Sequence, residues 1–135
     1  MEDRELIQLV LDFAREMNDL ESTFSLRDFL GVKSQQFRTS LNAIWSRYLT
    51  PRKMQRSTEG FHSPPLFRKV TEEAVITVGP GKNRRVVEVL VDGFECDFQF
   101  ALVCRDGQWR IDSLKKRYHG DNGPTEDDKW FYESL

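Results

Sequence analysis

The sequence predicts an α+β fold in which amino-terminal helices pack inside a curved antiparallel sheet. Three observations carry this expectation. Apolar residues recur twice at helical spacing before residue 50, the period changes to two from Ala74 onward, and glycine-containing turn signals separate the alternating runs. At 135 residues, 39% hydrophobic and with ten Phe, the chain can bury roughly two-thirds of the surface its unfolded form exposes. One domain over 1–135 is expected: helices over about 3–49, a loop over 50–70, the sheet over about 72–119 and a tail over 120–135.

The first helix, over about 3–19, follows from Leu6, Val10, Phe13 and Met17, with Ile7, Ala14 and Leu20 widening the stripe. Glu2, Asp3 and Glu5 lie at the positive end of its dipole. Ser25 followed by Asp28 predicts a capping box and a short helical turn through Leu30, closed by Gly31. Phe37, Leu41, Ile44 and Tyr48, broadened by Trp45, predict a helix near 34–49 that Pro51 ends. Pro64-Pro65 excludes a regular helix or central strand from the middle stretch, which Phe61, Leu66 and Phe67 anchor as a loop or edge strand.

Ala74, Ile76 and Val78 then open a meander of about four strands, with a positively charged turn over Gly79–Arg85. Val87, Val89 and Val91 face one way against Glu88 and Asp92. Phe94, Cys96, Phe98, Phe100, Leu102 and Cys104 alternate with Glu95, Asp97, Gln99, Ala101 and Val103. Asp92-Gly93 and Asp106-Gly107 are hairpin turns, and Trp109 and Ile111 oppose Arg110 and Asp112. The tail, Gly120–Pro124 and then Trp130, Phe131 and Tyr132, is aromatic enough to pack back on the body.

Charged residues reach 31% but nearly cancel, to a net charge of −2, which argues against a nucleic-acid binder driven by a strong positive field. Cys96 and Cys104 would lie about 26 Å apart on one strand, so they read as buried free thiols of a reducing compartment. No Cys-x-x-Cys pair is present, and neither His62 nor His119 has a partner at metal-ligand spacing, so no metal and no cofactor are expected. The charged amino terminus is unlike a signal peptide, and no apolar run is long enough to span a membrane, so the cytoplasm is the expected location.

A sheet with one apolar face needs cover, and the helices are the only candidates, so a helix-filled, half-open cone is expected, with a pocket at its wide end. Phe98-Gln99-Phe100-Ala101-Leu102, then Asp106-Gly107-Gln108-Trp109-Arg110-Ile111-Asp112-Ser113-Leu114-Lys115, resembles the terminal hairpin of nuclear transport factor 2-like proteins. With Phe61-His62-Ser63-Pro64-Pro65 and the late Trp130, the chain is most similar to the bacterial immunity proteins of that fold. The resemblance implies a non-enzymatic protein that binds and neutralises a cognate polymorphic toxin.

The same superfamily includes enzymes resembling ketosteroid isomerase and scytalone dehydratase. An isomerase- or dehydratase-type pocket enzyme would use Asp112 as general base and Tyr118 or Tyr48 as oxyanion donor. Asp112 shares the outer face with Arg110, however, where a solvated carboxylate paired to Arg or Lys is the simpler expectation. For an immunity protein, two surfaces are candidates to contact the toxin. One is the polar hairpin face, Glu95, Asp97, Gln99, Arg110 and Asp112; the other is the 52–63 segment, with Arg52, Lys53, Arg56 and Glu59. If the hairpin face is the site, reversing charge at Glu95 and Asp97 together is expected to abolish neutralisation without lowering the melting temperature. Exposed Ala101 and Val103 suit a homodimer, and the Lys115–Arg117 cluster reads as a solvated strand end.

Overall fold

The computed structural model describes residues 3–91, 96–118 and 130–132. Helix α1 spans Asp3–Thr23 and buries Leu6, Val10, Phe13, Ala14, Met17 and Leu20. It outruns its expected end because Leu20 and Glu21 both find buried positions. In α2 (Leu26–Leu30) the capping box is formed: the Ser25 hydroxyl accepts from the Asp28 N–H at 3.1 Å, and the Asp28 carboxylate accepts from the Ser25 N–H at 3.0 Å. Gly31 closes it through lack of space, since a Cβ there would stand 2.8 Å from the Arg27 carbonyl oxygen. Helix α3 (Ser34–Tyr48) buries Phe37, Leu41, Ile44 and Trp45.

The segment expected as a loop over 50–70 opens instead with a helix, α4 (Pro51–Arg56). Thr50 is its N-cap and Pro51 its first residue, so the proline that ends α3 also begins the next helix. The remainder of the segment is irregular, and Phe67 is fully buried.

Five strands follow: β1 (Val75–Val78), β2 (Arg84–Leu90), β3 (Cys96–Arg105), β4 (Gln108–Tyr118) and β5 (Phe131–Tyr132). They form one antiparallel sheet in sequential order. The fifth strand exceeds the expected four because two tail residues pair with Lys115 and Lys116 of β4. The β3–β4 turn has Asp106 at φ 53° and Gly107 at φ 77°, the backbone that an Asp-Gly hairpin requires. The Asp92-Gly93 turn, Glu95, His119 and 120–129 lie outside the described residues.

Val87, Val89, Phe98, Phe100, Leu102, Ile111 and Leu114 make the sheet's inner wall. Rings fill the space between wall and helices: Phe67 lies 5.4 Å from Phe13, 5.3 Å from Phe98 and 6.0 Å from Phe100, centroid to centroid. Phe24, Phe29 and Phe61 surround Phe37 at 5.3–5.8 Å. Ala101 and Val103 are buried, not exposed, which removes the surface expected to pair two copies. Cys96 is buried and Cys104 partly so, and neither is in a disulfide. Among the described residues, no helix is long and apolar enough to cross a membrane, and no cluster of His, Cys, Asp or Glu could hold a metal.

Candidate functional site

The site begins with one extra residue in β4. Leu102 pairs with Ile111 and Ala101 with Ser113, so Asp112 is left unpaired in a β-bulge. Ile111 and Leu114 stay in the core, while Asp112 and Ser113 in succession line a cleft outside it. Helix α4 covers this part of β4. The Thr50 N–H donates to the Ile111 carbonyl at 2.9 Å, and the Thr50 hydroxyl accepts from the Lys53 N–H at 3.2 Å while donating to Asp112 Oδ1 at 2.9 Å. Asp112 is therefore buried beneath α4, not solvated as its place on the outer face suggested.

Two arginines complete its surroundings. Arg52 donates through Nε to Oδ1 at 3.3 Å and through Nη2 to Oδ2, and Arg84 of β2 donates through Nη1 to Oδ2 at 3.3 Å. Burial pushes the Asp112 pKa up, but hydrogen bonds from Arg52 and Thr50, the Arg52 charge and the Arg84 bond outweigh it, so the pKa lies below its ordinary value. The same contact holds the Arg52 pKa up. With four donors on two oxygens, the carboxylate's acceptor capacity is occupied. It anchors guanidinium groups and is a poor group to take a substrate proton.

The cleft beside it has a volume of about 360 Å³. Besides Arg52, Arg84 and Asp112, its walls include Lys53, Arg56, Ser113 and Tyr132. Four cationic side chains thus face one carboxylate. The Arg52 and Arg84 side chains are 46% and 56% exposed, so they span from the buried anchor to solvent. Tyr132 arrives through β5, and the Lys115 ammonium sits 4.7 Å from its ring centroid.

Of the residues singled out from sequence, Arg52, Lys53, Arg56 and Asp112 come together, although they belonged to two alternative surfaces. Asp97 does not present itself to a partner. It is fully buried, accepting from the Val91 N–H at 2.8 Å and from Arg117 Nε and Nη2 at 3.3 and 3.0 Å. A charge reversal at Asp97 would thus damage the fold, against the expectation of an unchanged melting temperature. Gln99 donates to Glu88 across the strand pair at 3.0 Å, Arg110 donates to the Ser46 carbonyl and to Gln108, and Glu59 pairs with Arg38 at 3.5 Å. Glu95 is outside the described residues.

Neither tyrosine considered as an oxyanion donor lines the cleft. Tyr48 donates to Glu16, and burial, then that hydrogen bond and the Glu16 charge, push its pKa up to about 12. His62 is not merely a surface residue: the Glu21 carboxylate, buried in α1, takes its backbone N–H at 2.7 Å, its Nδ1 at 2.6 Å and the Leu66 N–H at 3.3 Å. Sequence reading missed Thr50, Arg84 and Tyr132 as site residues. Thr50-Pro51 is a helix-start signal that could have been read; nothing local marks the other two.

Comparison with known protein families, curated proteins and solved structures finds no match for the chain. Fold and site together define an α+β protein with a curved antiparallel sheet, a ring-filled interior and a cation-rich cleft on the outside.

Proposed function

We propose that this chain is a non-enzymatic immunity protein of the nuclear transport factor 2-like kind, binding and neutralising a bacterial toxin domain in the cytoplasm. The observation that carries the reading is the filled interior. Phe13, Phe67, Phe98 and Phe100 occupy the space between helices and sheet where an enzyme of this shape would hold its reactant. Recognition is left to the exterior, where Arg52, Arg56 and Arg84 project from a helix and a strand fixed to one carboxylate. Charges held in fixed places favour fast and selective association with a protein of opposite sign. The resemblance of the hairpin formed by Phe98–Leu102 and Asp106–Lys115 to such immunity proteins supports the same reading.

The test is to look for a large secreted protein encoded beside this chain and to co-express the chain with that protein's carboxy-terminal domain. Growth restored by the wild-type chain, together with a co-purifying complex weakened at least about tenfold by Arg52→Glu with Arg56→Glu, is the expected result. A toxin that kills despite stable expression of the chain, or a metabolic operon in place of a toxin gene, would overturn the proposal.

The second reading, a small pocket enzyme, draws on Asp112 and Tyr132 lining one cleft. The four donors already on Asp112 count against it as a general base.

A further inference from the structure

We infer that the cleft beside α4 binds a nucleoside phosphate, its phosphate held by Arg84, Arg56 and Arg52 and its base laid on Tyr132. The inference does not depend on a toxin partner. A protein of net charge −2 that gathers four cations around one carboxylate has a strong local field opposite to its overall sign. Asp112 engages two nitrogens of Arg52 but a single nitrogen of Arg84. The Arg84 fork therefore has two more nitrogens to offer, in the planar geometry that suits a phosphate. Asp112 already demonstrates that these two guanidinium groups can converge on one oxyanion.

The volume argues for more than a bare anion. About 360 Å³ falls in the range of pockets that take organic ligands. Tyr132 supplies the apolar element: it is 75% exposed, lines the cleft and has the Lys115 ammonium over its ring. An exposed ring beside cations is the arrangement on which nucleobases stack while their phosphates are neutralised. The Ser113 hydroxyl lies in the same wall for the sugar or phosphate. Free mononucleotides and single nucleotides of an unpaired strand share this chemistry. On the same face of β4 as Lys115, Arg117 lies 4.4 Å from the Trp130 ring, so a strand has a second ring to reach.

Titration of the whole chain with adenosine 5′-monophosphate, inorganic phosphate, adenosine and a six-nucleotide oligothymidylate, read by calorimetry and amide chemical shifts, tests the inference. The expected result is saturable, salt-weakened binding of the monophosphate, about tenfold or more tighter than phosphate, with shifts at 52–56, 84, 112–113 and 132. Arg84→Gln is expected to weaken both anions about tenfold, with Arg84→Lys recovering part of the loss. Tyr132→Ala is expected to weaken the monophosphate and leave inorganic phosphate unchanged, a split that mere loss of structure would not produce. Tighter binding of the oligonucleotide assigns the source to a single strand, and binding no tighter than the monophosphate assigns it to free nucleotide. Absence of saturable binding at millimolar monophosphate, or equal weakening of both anions by Tyr132→Ala, would overturn it.

Discussion

Asp97 and Asp112 occupy equivalent places in the sequence pattern, polar residues alternating with apolar ones, and both are buried. They differ in what reaches them. Asp97 holds Arg117 and the Val91 N–H, so Asp97→Asn leaves a mostly buried guanidinium without its counter-charge. Breaking such a pair costs about 3–5 kcal/mol, to be read from urea denaturation. Asp112 holds two half-exposed arginines, so Asp112→Asn is expected to cost less, about 1–3 kcal/mol. The pH dependence has a definite sign. The folded pKa lies below the ordinary 3.8, so the stabilisation is complete above 3.8 and lost as pH falls through the lower folded value. Stability measured through that acidic window should fall more steeply for the wild-type chain than for Asp112→Asn. Neither distinction was legible in the sequence, because the arginines that meet the two carboxylates come from 20 to 60 residues away.

At the level of elements, the long stripes and the hairpin signals were legible because each repeats a period several times. Six residues of α4 and two of β5 repeat nothing, and their existence rests on Thr50-Pro51 and on pairing with β4. Thr50 joins the two levels, capping α4 and bonding Asp112 with one hydroxyl. Thr50→Ala is expected to cost about 1–2 kcal/mol and to speed hydrogen exchange at 52–56, while Thr50→Ser retains both properties. Glu21 likewise ties down both ends of the stretch His62–Leu66. Glu21→Ala strands two N–H groups and should lower stability by about 2 kcal/mol while making the 61–66 segment sensitive to protease.

Over the whole molecule, the order helices-then-meander was readable, since one apolar sheet face and two amphipathic helices have few ways to cover each other. The cleft was not. Net charge sums over the surface, and Arg52, Arg56 and Arg84 become neighbours only when α4 lies beside β4. Phe100 belongs to this scale too, because it meets rings from α1, the middle segment and β3. Phe100→Ala is expected to cost about 3–5 kcal/mol, lowering the melting temperature by roughly 10–18 °C in a single cooperative transition.

The unpaired position in β4 separates the fold from what the fold carries. Excising Asp112 alone would bring Ser113 directly after Ile111, restoring strict in-and-out order with every remaining side chain on the face it already occupies. Excising almost any other residue between Gln108 and Tyr118 would invert the side chains beyond the cut. A descendant of this chain can therefore discard its anionic anchor in one step and keep its architecture, which makes the length of this strand a better mark of a shared role than overall likeness.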